Sequence, residues 1–156
     1  MKTVVCDTSP ITNLIAIGHI QILHHLFKEV YIPPAVEAEL KKSHPQIPEF
    51  IKTIPIQSKS YKIDGLNNLD NGESEAIILA IELGKPTLLI IDERKGHNVA
   101  EDAGISCTGL LGILIQARKI GLIDNISAIL SELKSNGFYL TKSVELRVLE
   151  IANESY

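Results

Sequence analysis

Two short apolar runs each end in an aspartate, and this pattern limits what the chain can fold into more than any other feature. Thr3 to Cys6 leads directly into Asp7, and Thr87 to Ile91 leads directly into Asp92. An apolar run without polar alternation marks a strand covered on both faces, as in a parallel sheet. Between and beyond these runs, strand-like and helix-like segments alternate. That alternation predicts a mainly parallel α/β sheet with helices on both faces and right-handed crossovers. In such sheets the site lies beyond the carboxyl ends of the strands, so if the two runs are neighbours, Asp7 and Asp92 share one crevice. At 156 residues the chain has room for one domain with a real core and little room for a second.

The first run gives way to a helix capped by Ser9, with Pro10 at its first position and Gly18 as its stop. Ile20, Leu23, Leu26 and Phe27 start a second helical stripe. Glu29 to Ile32 reads as a strand and Ala35 to Lys42 as a helix opened by Pro33-Pro34. Phe50 to Lys52 continues as a short helix. Ile54 to Gln57 can form only an edge strand, because Pro55 has no amide to donate. The polar stretch Gln57 to Asn71 is a loop ending in Asp70-Asn71-Gly72-Glu73, a capping box before a buried helix Glu75 to Leu83 that Gly84 closes. After the second run come a helix Arg94 to Asp102, a strand Ile105 to Cys107, and a helix Gly109 to Ile120 capped by Thr108. A helix Ile126 to Leu133, a turn at Asn136-Gly137, a strand Phe138 to Leu140 and a helix Lys142 to Asn153 capped by Thr141 complete the chain. Gly109 and Gly112 read as close-packing positions.

The acids carry the chemistry. Asp7 or Asp92 alone can serve as a helix cap, but two acids at strand ends point to a site. Glu75 sits at the start of a helix that is otherwise Ala, Ile and Leu, close to the core, while Glu73 is occupied by the capping box. Glu37 and Glu39 lie two apart on one helix and face different ways, and geometry does not choose between them. Other chemistries find no support. The chain has no glycine-rich phosphate loop, and its five histidines lack a metalloprotease arrangement. Cys6 and Cys107 lack zinc-site spacing and read as buried free thiols. The 15 basic and 19 acidic residues leave a net charge of -4, which opposes loose adhesion to a polyanion unless cations intervene. The amino terminus meets an acid too early for a secretory signal, and no segment approaches the roughly 20 apolar residues that span a bilayer. The expected setting is therefore the cytoplasm.

Four segments in order, Thr3 to Pro10, Pro33 to Leu40, Gly72 to Ala80 and Leu89 to Glu93, together resemble the PIN domain over nearly the whole chain. Gly104 to Leu114, with its Thr-Gly-x-x-Gly helix, resembles a prokaryotic subset of that family. The resemblance implies a metal-dependent ribonuclease in which Asp7, Glu39, Glu75 and Asp92 hold Mg2+ or Mn2+, with Glu93 as a substitute for Asp92. Glu39 is preferred to Glu37 because it falls three residues after Val36, where the family's helix carries its acid. Thr8 and Ser9 match hydroxyl positions beside the first acid. Where related sequences carry a basic residue after the fourth acid, this chain has Gly96-His97, with Arg94 and Lys95 nearby as phosphate contacts. The implied substrate is single-stranded RNA. The implied biology is that of a VapC-type toxin, homodimeric and held by a small antitoxin. The rival readings are a catalytically degenerate PIN fold that only binds a protein, and an Asp phosphoacceptor signalling domain.

Overall fold

In a computed structural model, residues 2–58, 61–84 and 86–154 are described. Lys59 and Ser60 of the expected polar loop, and Lys85 between the fourth helix and the second apolar run, lie outside them. Five parallel strands, β1 (Thr3–Cys6), β2 (Val30–Ile32), β3 (Ile51–Thr53), β4 (Thr87–Ile90) and β5 (Ser106–Thr108), form one sheet in the order β3-β2-β1-β4-β5. The helices are α1 (Thr8–Ala16), α2 (Gln21–Phe27), α3 (Pro34–Ser43), α4 (Asn71–Leu83), α5 (Arg94–Asp102), α6 (Leu110–Lys119), α7 (Ile126–Ser135) and α8 (Lys142–Ile151). From β1 the chain winds outward to β2 and β3, then returns across the sheet to β4 and β5. The reversal falls between β1 and β4. These strands pair in parallel, from Thr3 opposite Thr87 to Cys6 opposite Ile90.

Successive strand residues feed opposite cores, which explains the unbroken apolar runs. Val4, Cys6 and Ile90 pack with Ile11, Leu14, Leu114 and Leu130 on one face. Val5, Leu89 and Ile91 pack with Ala76, Ile77, Leu79 and Ala100 on the other. Both cysteines are free; Cys6 is buried as expected, whereas Cys107 is only half-buried. Among the described residues no helix is long and apolar enough to cross a membrane.

Three local expectations change. The third strand is Ile51–Thr53, in place of both the short helix expected at Phe50 to Lys52 and the strand expected at Ile54 to Gln57. Its pairing with Val30–Ile32 stops just before Pro55, where the ladder would lose a donor. Phe138 to Leu140 joins no sheet among the described residues and is an extended link between α7 and α8. Helix α1 begins one residue before Ser9, with Asp7 at the N-cap position.

Helices α6, α7 and α8 are bound together at Glu154. Its carboxylate accepts from Arg118 Nε at 2.9 Å and from the Ile126 and Ser127 amides at 2.9 and 3.3 Å, closing the start of α7. Burial pushes this carboxyl up, but the two amides and Arg118 outweigh burial and hold it below the usual range. Glu154→Ala should therefore lower unfolding free energy by about 2 kcal/mol in urea titrations at neutral pH. A change under about 0.5 kcal/mol would mean the carboxylate does not tie the helices together.

Candidate active site

A crevice of about 800 Å³ opens beyond the carboxyl ends of β1 and β4. Six carboxylates line it: Asp7, Glu39, Asp70, Glu73, Asp92 and Glu93. The hydroxyls of Thr8, Ser9 and Thr12 stand beside them, and Leu111, Phe138 and Tyr139 form part of the lining. No lysine or arginine lines the crevice among the described residues. The charged side chains that line it are all acidic.

The strand-end acids arrive as the sheet dictates. Asp7 is 7% exposed, and although it holds the N-cap position of α1 its side chain makes no capping hydrogen bond. Burial raises its carboxyl to about 6, with the Thr8 amide pulling down and Asp70, Glu39 and Asp92 adding repulsion. Asp92 Oδ1 accepts from the Leu110 amide at 2.7 Å, supplying α6 with the cap that Gly109 has no side chain to give. The expected cap, Thr108, is the last residue of β5 instead. Asp92 Oδ2 is buried with no hydrogen-bond partner. Burial pushes this carboxyl up as well, against the Leu110 amide and the Ser9 side chain. Glu93 caps α5 by accepting from the Gly96 amide at 3.1 Å.

The two helical pairs are resolved by what each acid touches. Glu39 enters the crevice. Glu37 turns to the edge strand, accepting from Thr53 Oγ1 at 2.7 Å and facing Lys41 Nζ at 3.6 Å. On α4 the outcome reverses the expectation. The helix begins at Asn71, so Asp70 is its cap and accepts from the Glu73 amide at 2.8 Å, but the Glu73 carboxylate lies in the crevice. Glu75, two residues on and about 200° around the helix, leaves the crevice, and its Oε1 accepts from the Ala35 amide at 2.9 Å. It caps α3, whose own N-cap residue is Pro33 with no acceptor side chain. A capping box fixes the backbone at Glu73 without fixing where its carboxylate points, so the sequence hid its place in the crevice and put Glu75 there instead.

Glycines clear the space. A Cβ on Gly72 would meet Glu39 Oε1 at 2.5 Å and Asp7 Oδ1 at 3.4 Å. One on Gly96 would lie 3.1 Å from Glu73 Oε2, and one on Gly109 would lie 2.7 Å from Asp92 Oδ1. Gly109 thus makes room for a carboxylate rather than for helix packing. Thr8 Oγ1 lies buried without a partner, and the exposed Ser9 also lines the crevice. Arg94 and Lys95, expected as phosphate contacts, are exposed on α5 and do not line the crevice. Asp70, Phe138 and Tyr139 were missed. The cap at Asp70 was legible, but its place in the crevice depends on the fold.

All-oxygen donors suit a hard divalent cation. The orphaned Asp92 Oδ2, the raised Asp7 and the space kept beside Glu39 fit such an ion. Among the described residues no three Asp, Glu, His or Cys side chains stand close enough to close on one ion. This is compatible with Mg2+, which keeps several waters and takes one or two carboxylates.

Crowding also makes the metal-free protein sensitive to pH. Burial, then Asp70, with Asp7 and Glu93 behind, raises Glu73 from 4.5 to about 8, and Asp7 is raised from 3.8 to about 6. Each group binds its proton more tightly when folded than when unfolded. Each therefore favours the folded state at low pH and loses that contribution as pH rises through its window, 3.8 to about 6 for Asp7 and 4.5 to about 8 for Glu73. In chelator-stripped protein, Asp7→Asn and Glu73→Gln should both melt above the parent near neutral pH. The gain should shrink toward pH 4.5, the ordinary value for Glu73. Variants that melt below the parent at every pH would show that these acids stabilise the fold.

The comparisons agree with this architecture. Residues 3–154 match a family model described as a PIN domain. No curated protein matches the chain significantly. A PilT N-terminus domain protein from the hyperthermophilic archaeon Sulfolobus solfataricus is similar in fold, with a TM-score of 0.51 and 20% identity over 75% of this chain and 93% of that one. With the family model spanning nearly the whole chain and the sheet reversing at a crevice of carboxylates, the chain belongs to the PIN-domain family.

Proposed function

We propose that this protein is a divalent-cation-dependent ribonuclease that hydrolyses phosphodiester bonds of single-stranded RNA. PIN domains are a nuclease family, and the observation that carries the finer reading is the acid-only crevice at the β1–β4 reversal. Bare, it repels a phosphodiester. Loaded with Mg2+ or Mn2+, it attracts one, because the ion inverts the local field. Of Asp7, Glu39, Glu73 and Asp92, one or two would hold the cation directly and the others would reach it through its waters, with Asp70 and Glu93 lining the same crevice. When bound, the cation supplies Lewis-acid polarisation of the phosphoryl oxygen and offsets the charge that develops during displacement. Thr8 and Ser9 present hydroxyls at the start of α1, where the helix dipole favours an anion.

The resemblance to VapC-type toxins carries the further proposals of a small inhibitory antitoxin, a homodimer and a cytoplasmic site of action. A catalytically inactive binding module is the competing outcome, and it predicts partner binding without metal dependence.

Cleavage of a total RNA pool with and without Mn2+ tests the reading. Glu39→Gln, Glu73→Gln and Asp92→Asn should each lower the metal-dependent rate at least about a hundredfold, whereas Glu37→Gln and Glu75→Gln should stay within about threefold of the parent. Glu75→Ala, which strips the cap from α3, should cost stability of about 1 kcal/mol and little activity. Loss of cleavage in Glu75→Gln with full activity in Glu73→Gln would restore the assignment first drawn from the sequence. An absence of metal-dependent cleavage in the parent would favour the binding module.

A further inference from the structure

The crevice is larger than a cation and its ligands require, since about 800 Å³ is the size of a small-molecule site. Its lining also includes two aromatic residues, Phe138 and Tyr139, which metal chemistry does not use. These residues are held tightly. Helix α7 ends at Ser135, and the turn that follows passes through Gly137, whose φ of +90° suits glycine. The Phe138 amide there donates to Leu133 O at 3.0 Å. Three residues later Thr141 caps α8, its hydroxyl accepting from the Val144 amide at 3.2 Å. Phe138 and Leu140 pack against the core, so the extended link turns Tyr139 outward, 85% exposed. Among the described residues the Tyr139 ring stacks on no other aromatic side chain. An exposed ring on an anchored backbone keeps its contact area at little entropic cost.

We propose that Tyr139 is a stacking platform for one unpaired nucleobase of the strand whose phosphate enters the carboxylate end of the crevice. The inference rests on the nuclease reading. A nucleotide offers both chemistries that the crevice requires, an anionic phosphate for the cation-loaded acids and an apolar π face for the ring. A base paired in a duplex has both faces covered, so the platform selects single strands. Stacking tolerates any base, and the platform predicts little sequence preference at this position.

The test uses the full chain and short fluorescent RNA single strands carrying one abasic site at successive positions, with cleavage in Mn2+ and binding in Ca2+ followed by anisotropy. Tyr139→Ala should lower kcat/KM about tenfold, mostly through KM, and weaken single-strand binding by a similar factor. Tyr139→Phe should remain within about twofold of the parent. With the abasic nucleotide at the stacked position, parent and Tyr139→Ala should become equal. A duplex should bind more weakly and ignore the substitution. Equal behaviour of Tyr139→Ala and parent on every single strand, or a deficit that persists at every abasic position, overturns the platform. If the parent binds but does not cleave, the nuclease reading fails, while Tyr139-dependent binding of single strands still supports stacking and Tyr139-independent binding or none overturns it.

Discussion

The parallel pairing of β1 with β4 is the contact on which the site depends. Because Cys6 lies opposite Ile90, the two strands run out at the same level, and Asp7 and the Asp92 region leave the sheet side by side. The Asp7 amide still donates to Ile90 O at 2.9 Å, so the first acid is fixed by the ladder itself. The chain reverses its winding here, and among the described residues no crossover connects these two neighbouring strands directly. A pairing shifted by one residue would send every β1 side chain to the opposite core. Both cores enforce the register that aligns the acids.

Bringing acids to that gap is electrostatically unfavourable, and the surrounding structure tolerates it through specific provisions. Asp92 has one oxygen tied to α6 and the other left bare. Glu39 lies beside Gly72, where any larger residue would push the carboxylate aside, and Glu73 lies near Gly96, where a Cβ would meet Ile91 first and crowd the carboxylate second. The helix ends are meanwhile served by acids from elsewhere, with Glu75 capping α3, Asp92 capping α6 and Glu154 capping α7. Acid residues thus divide into those that close helices and those left to crowd the crevice. A crowded carboxylate set, with Asp7 and Glu73 buried and no basic residue lining the crevice among the described residues, is stabilised by a cation, which links the proposed cofactor to the fold's own stability.

The sequence displayed the periodic features and hid those that depend on direction. Strands buried on both faces, the caps at Asp70 and Thr141 and the strand-end acids all leave local marks, and the structure contains them. The resemblance selected Glu39 over Glu37, which spacing alone left open. Glu73 and Glu75 exchange places because they lie about 200° apart on α4, and the capping box that marks the Glu73 backbone in the sequence says nothing of where its carboxylate points. The edge strand at Ile51–Thr53 carries only one buried residue, so alternation could not reveal it. Tyr139 was read as part of a strand because an extended link and a short strand share the same local sequence.

A Mn2+-loaded crystal, with the ion located by its anomalous scattering, tests the central claim most directly. The account predicts at least one peak within coordinating distance of carboxylates from both sides of the β1–β4 gap, drawn from Asp7, Glu39, Glu73 and Asp92, with Glu75 still accepting the Ala35 amide. A peak confined to other surface acids, or an ion held by Glu75 after it has left Ala35, would contradict it.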